Sequence, residues 1–309
     1  MSDLLLNTPD PREPLQASFS DAANPLGLDG IEFIEYATSA PQALGQVLGM
    51  MGFRAVARHR SREVMLYRQG GVNIIVNAHP AAGADAPATA PATPTISAIA
   101  LRVRNANEVH RHVLERGGWD APSHPQAMEL NIPAIHGVGG SRLYLIDRYR
   151  DFSIYDVDFV PIPGVDPRPP ALFDLRFFGL VQYIGLGRSG DWTAFYETLL
   201  GATPIPDEER FGIMPSGHLL RVPGRRPGNG FLLQLVEPPV DALDEREAWQ
   251  RIGIGVVDVL AAVRALRERG VEFVESEAVH AERRGAITKA YLGGVVFELV
   301  QDPLARVVQ

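Results

Sequence analysis

Apolar and polar residues alternate over short runs of this chain, and between those runs the apolar residues recur at helical spacing. Periods of 2 and about 3.6 mark half-buried strands and amphipathic helices respectively. The run GLDGIEFIEYAT alternates Ile31, Phe33 and the Tyr36 region with Glu32 and Glu35, which predicts a strand. APQALGQVLGMMGF follows at helical spacing and stops at Gly52, a residue suited to closing a helix. Strands are predicted around RAVARH, REVMLYRQ and GGVNIIVN. The plan then restarts with strand SAIALRV, helix NANEVHRHVLERGG on an Asn cap, and strand GGSRLYLIDRY. Two further rounds follow. Strand GLVQYIGLG leads to helix GDWTAFYETLLG and strands ending in NGFLLQLVEP; strand WQRIGIGVV leads to helix DVLAAVRALRERG and strands ending in GGVVFELVQD. These last two strands nearly copy each other, with Gln234 and Glu298 at the matching central position. Apolar neighbours flank both, so each polar side chain is expected to point into an enclosed space where it needs a partner. Four βαβββ units, their helices closing on Gly52, Gly117 or Gly118, Gly201 and Gly270, make an internal repeat.

The gaps between the runs set the domain plan. Residues 1–26 are rich in Pro, Asp, Asn and Ser without periodicity and are expected to form a mobile N-terminal tail. His79–Thr93 is Ala/Pro low-complexity and reads as an exposed connection. Pro161–Ala171 contains five prolines and is the best boundary in the chain. The expected organisation is an N-terminal domain over 27–160, a Pro-rich linker over 161–172, and a C-terminal domain over 173–309 that carries the candidate site. The fold class is α+β, with the four units paired one with two and three with four.

Composition narrows the chemistry. There is no cysteine among the 309 residues, so disulfides, thiolate nucleophiles and Cys-ligated metals are excluded, and any metal would need His and carboxylate ligands. A net charge of −8 argues against nucleic acid or an anionic membrane surface as partner. A small-molecule acid is the expected ligand, with a homo-oligomer left open. The N-terminus has neither a basic n-region nor an apolar h-region, and no apolar run is long enough to span a bilayer, so a cytoplasmic protein is expected. The glycine-rich strings GVGG and GRRPGNG lack the spacing of a phosphate cradle, and no G-x-S-x-G elbow is present.

The strings NPLGLDGIEFIEYA, RQGGVNIIVN and IPAIHGVGGSRLYLIDRY in the first half, and DWTAFYETLLG and VVFELVQ in the second, resemble the vicinal oxygen chelate superfamily. Within it they are most similar to the 4-hydroxyphenylpyruvate dioxygenase family. The resemblance covers most of residues 24–303. It implies two vicinal-oxygen-chelate domains, each a curled mixed sheet around a cup with helices outside. It also implies an Fe(II) held in the C-terminal cup by two His and one Glu. Carried over by position, the Glu falls on Glu298, but the two His fall on Gly179 and Arg251. Glycine has no side chain and arginine offers no lone pair. Glu298 is thus the one surviving metal-ligand position, and no cofactor is expected unless the family's Fe(II) activity is retained.

On this carry-over Arg251 and Glu298 meet where metal and ligands would otherwise meet, with Gln234 on the neighbouring wall. A buried carboxylate without a partner is costly, so an Arg251–Glu298 ion pair is expected. That pair either plugs a vestigial cup or leaves Arg251 donors free for the carboxylate of a small acid. Gln182 and His218 complete the candidate binding residues, although the parity of Gln182 with Gly179 points it to the opposite face. Three function classes result: a non-iron relative that binds or transforms a small aromatic or 2-oxo acid, an active Fe(II) dioxygenase of aromatic amino-acid catabolism, and a non-catalytic remnant that binds a partner.

Overall fold

Why each element forms where it does is visible in its ends and its buried face. The structure is a computed structural model and describes residues 24–78, 91–122, 125, 129–206, 217–226, 228–238, 246–274 and 285–302. Strand β1 (Ile31–Ala37) leads into α1 (Pro41–Met50), which opens on a proline and buries Leu44, Val47 and Leu48. Strands β2 (Arg54–His59), β3 (Val64–Gln69), β4 (Val72–Asn77) and β5 (Thr95–Arg102) follow. Helix α2 (Ala106–Leu114) is capped by Asn105, whose side chain accepts the Glu108 N–H at 3.1 Å. Then come β6 (Ala134–His136), β7 (Arg142–Ile146), α3 (Ile154–Asp158) and β8 (Phe159–Pro161). The second half holds β9 (Arg176–Tyr183), α4 (Ser189–Leu200), β10 (Thr203–Pro204), β11 (His218–Val222), β12 (Phe231–Val236) and β13 (Ala248–Val256). It ends with α5 (Val259–Glu268), β14 (Gly285–Ile287) and β15 (Phe297–Gln301). Asp258 caps α5 by accepting the Ala261 N–H at 2.9 Å. The glycines after the four long helices, Gly52, Gly117, Gly201 and Gly270, all have positive φ, the conformation that lets the chain leave a helix without a Cβ penalty.

The strands form two sheets with one plan. The first runs β6-β7-β5-β1-β4-β3-β2-β8 and the second β10-β11-β12-β9-β13-β15-β14. In each, two first strands pair antiparallel at the centre, β1 with β5 and β9 with β13, and each pairs parallel with the last strand of its own unit. The short strands β6, β8, β10 and β14 and helix α3 went unpredicted, being too brief to show a period.

The long helices cover one face of each sheet, and there the two halves share a single core. Leu44, Val109, Tyr196 and Leu266 from α1, α2, α4 and α5 pack in the same cluster as Ile34, Ile99, Leu180 and Ile252 from the strands. On the opposite face of the first sheet a second cluster gathers Phe33, Leu66, Ile75 and Ala100 with Ile154 from the short α3 and Phe159 from β8.

Two boundaries differ from the sequence reading. Asn24 and Leu26, assigned to the tail, are buried, because Asn24 bonds both the N–H and the carbonyl of Leu28 and Leu26 joins the shared core. Pro161, the first linker residue, pairs with Ala57 as part of β8. The linker is also tied to the first sheet: Gly70 N–H donates to Pro169 O at 2.9 Å and Leu172 N–H to Gln69 Oε1 at 2.9 Å. The rest of the tail and most of His79–Thr93 lie outside the described residues.

Polar contacts stitch the halves. Buried Asp29 accepts from Arg226 Nη2 and Asn229 Nδ2, each at 2.7 Å, and Trp249 Nε1 donates to buried Ser141 Oγ at 3.0 Å. Removing one partner of a buried hydrogen bond strands the other, whereas removing both is nearly neutral. Trp249→Phe should therefore cost about 1–3 kcal/mol in urea unfolding, and adding Ser141→Ala should recover part of that loss.

Candidate functional site

Cross-strand register decides which side chains meet. In the second sheet Glu298 lies opposite Gly253, Gly253 opposite Gly179, and Gly179 opposite Leu232, so these four share one face in one row. The adjacent row on that face runs Gln234, Val181, Arg251. Leu180, Ile252 and Phe297 point the other way, into the core beneath the helices. The candidate site therefore sits on the helix-free face, and the two glycines beside Glu298 leave a strip without side chains.

Arg251, two residues before Gly253 on β13, reaches Glu298 on the adjacent strand diagonally. Its Nε donates to Glu298 Oε2 at 2.8 Å, with the two side chains only 4% and 8% exposed. The contact is a single bond rather than a fork. Nη1 instead donates to Gln250 Oε1 at 3.0 Å, helped by a register shift between Trp249 and Arg251 that frees Gln250 from strict alternation. Arg251 Nη2 is buried and has no hydrogen-bond partner among the described residues. A buried guanidinium nitrogen without an acceptor is uncommon in a folded chain.

Two of the candidate residues are not on this face. Gln182 is fully buried beneath α4, opposite Trp249, where its Oε1 accepts the Tyr196 hydroxyl. Burial holds the Tyr196 phenol far above its ordinary pKa, which keeps it a neutral donor. No bulge intervenes between Gly179 and Gln182, so the odd separation turns Gln182 away. His218 opens β11 opposite Leu235, a core-facing residue, and its side chain is exposed; Leu219 is the β11 residue that faces Gln234. Of the remaining histidines, His110 bonds Asp120 at 3.0 Å on the surface, and His79, His124 and His280 lie outside the described residues.

The Fe(II) implied by the resemblance does not fit these donors. A Cβ built on Gly179 would lie 2.6 Å from the Leu232 carbonyl oxygen, so the backbone has closed over the position where a ligand side chain would start. Arg251 cannot coordinate a cation, and Glu298 is committed to Arg251. Among the described residues no three His, Cys, Asp or Glu side chains come together.

Sequence reasoning missed two further polar clusters. Glu247, just before β13, gathers the Gly185 N–H at 3.0 Å, the Trp192 indole at 3.0 Å and Arg188 Nη1 at 3.2 Å on one oxygen, at the edge of a cleft that also involves Gly139 and Leu186. Glu32 and Glu35, read as the polar side of β1, both enter networks, with Glu32 buried against Arg102 Nε at 2.5 Å. Two bulges in the β1–β5 pairing were the missing information, and nothing in the alternation reveals them.

Comparison with known proteins follows this geometry. Residues 22–160 match the family model described as hydroxyphenylpyruvate dioxygenase, HPPD, N-terminal. The chain is 42% identical over 183 residues to a 4-hydroxyphenylpyruvate dioxygenase of Pseudomonas sp. strain P.J. 874, an alignment spanning 59% of this chain and 51% of that protein. It is 34% identical over 276 residues to a 4-hydroxyphenylpyruvate dioxygenase of Pseudomonas aeruginosa, covering 84% of this chain and 75% of the relative. In fold it is similar to a solved xylose isomerase-like TIM barrel/4-hydroxyphenylpyruvate dioxygenase fusion protein, with a TM-score of 0.66, 20% identity, and coverage of 89% of this chain and 49% of the other. Among the described residues no helix is long and apolar enough to cross a membrane. With two sheets built to one plan and this degree of identity across three quarters of a relative, the chain belongs to the 4-hydroxyphenylpyruvate dioxygenase family, on the vicinal oxygen chelate fold.

Proposed function

We propose that the chain binds a small aromatic or 2-oxo acid on the helix-free face of its second sheet, through Arg251 and without Fe(II). The observation that carries this reading is the buried, unpartnered Nη2 of Arg251. A carboxylate oxygen placed there would complete the donor set of a guanidinium whose other two nitrogens are already engaged. Glu298 orients the group through Nε, Gln250 fixes Nη1, and Gln234 stands in the same row across Val181. The acid class follows the printed names of the relatives, whose substrate is an aromatic 2-oxo acid, and the cation is of the sign that recognises it. Any chemistry on the bound acid would have to use polarisation by this permanent cation rather than a metal.

Purified without added metal, the protein is expected to carry no stoichiometric iron and to consume no O₂ with 4-hydroxyphenylpyruvate. About one iron per chain by elemental analysis, together with substrate-dependent oxygen uptake, would restore the Fe(II) dioxygenase reading.

The ion pair gives a second test. Arg251→Ala leaves a buried carboxylate stranded and should destabilise the fold by about 3–5 kcal/mol in chemical denaturation. Glu298→Gln separates ligand site from plug. As Arg251 loses its internal anion, phenylpyruvate affinity by calorimetry should rise while stability falls. Absence of phenylpyruvate binding in both the parent and Glu298→Gln would leave only the plug.

A further inference from the structure

The face of the first sheet opposite its long helices carries a polar notch that the second-sheet site does not use. Register places Ile75, Glu35, Ala98, Arg142 and His136 in one row across β4, β1, β5, β7 and β6. The next row on that face holds Phe33, Ala100 and Tyr144, with the Phe33 and Tyr144 rings 6.0 Å apart. In that row the residue between the acid and the base is Ala98, whose side chain is a single methyl group. Strands in a sheet lie about 4.8 Å apart, so Glu35 and Arg142, two strands apart, start from backbones about 9.6 Å apart with this small residue between them.

Glu35 and Arg142 do not meet in a direct ion pair, although the guanidinium favours the carboxylate across the row. Glu35 Oε1 accepts from Ser97 Oγ at 2.8 Å and from Asn77 Nδ2 at 3.3 Å, both uncharged donors. No Arg, Lys or His among the described residues stands within ion-pair distance of Glu35, and Arg142 makes no ion pair; its Nη1 reaches only the Tyr144 hydroxyl, at 3.5 Å. Arg62, the other nearby cation, is taken by Glu129 at 2.5 Å. Burial raises the Glu35 carboxyl above its usual range, while Ser97, Asn77, Arg142 and Arg62 pull it back. The Tyr144 phenol is raised too, by burial first and then by Glu35.

A carboxylate and a guanidinium facing each other across a one-residue gap complement a molecule with a cation at one end and an anion at the other. We propose that this notch binds a zwitterionic α-amino acid, its ammonium against Glu35 and its carboxylate against Arg142 and the Tyr144 hydroxyl. The Ala98 floor leaves room for the backbone of such a ligand, and the adjoining Phe33 and Tyr144 rings present an apolar wall to its side chain. An acid without the ammonium would set its charge against Glu35, and an amine without the carboxylate would set its charge against Arg142. The site is separate from Arg251, which lies in the other sheet.

The test uses the full chain and glycine as probe, with acetate and methylamine as half-probes, in titration calorimetry or ligand-observed NMR at neutral pH. Glycine is expected to bind at least tenfold more tightly than either half-probe. Glu35→Gln and Arg142→Gln, with folding checked by circular dichroism, should each weaken glycine at least tenfold. If acetate binds as well as glycine, or if both first-sheet variants bind glycine like the parent, the proposal fails. Should either variant not fold, Ala98→Val fills the gap and keeps both charges; unchanged glycine binding in it would overturn the assignment.

Discussion

The second sheet is organised around one desolvated ion pair, Arg251 Nε to Glu298 Oε2. Taking either charge out of water alone costs several kcal/mol, and the pair offsets that only because the two meet at hydrogen-bonding distance. Arg251 on β13 and Glu298 on the adjacent β15 are diagonal neighbours; Gly253, directly beside Glu298, adds no side chain to the contact, and Gly179 beyond it on β9 adds none to the row. Close backbone packing at Gly179 follows from the same absence, and it removes the space in which a metal ligand could start.

The two halves share a plan but not a content. On the helix side their cores merge into one apolar cluster, which holds the sheets together more firmly than the few polar stitches between them. On the opposite side they diverge. The first sheet is filled by Ile154 and Phe159, delivered by the short α3 and β8, with polar groups left at one end. The second keeps a charged pair with an unmet donor. A repeat can thus hold one fold twice while the corresponding faces of its two sheets carry different side chains.

How much of this could be read in advance follows from what each signal encodes. The repeat, the helices and their closing glycines were legible, since period and positive-φ positions are local properties. The Arg251–Glu298 meeting was legible because aligned strands fix which residues face each other. Gln182 was kept among the candidates although its parity with Gly179 turned it toward the core, where Tyr196 holds it. His218 was not, since the strand pairing that sets its face involves only five residues of β11. Glu32 and Glu35 were read only as the polar members of an alternating strand: alternation says that a strand has two faces, but not that both are covered or that bulges shift the register between them.

The proposal for Arg251 is that its guanidinium is a ligand-binding group with Nη2 to offer. Side-chain ¹⁵N NMR of the arginines, with phenylpyruvate titrated into the full chain, reads that atom directly. The account predicts that the Arg251 Nη signals shift saturably while its Nε signal, held by Glu298, stays near its starting position. Saturation of other arginines with Arg251 unmoved, or no saturable shift at all, would contradict it.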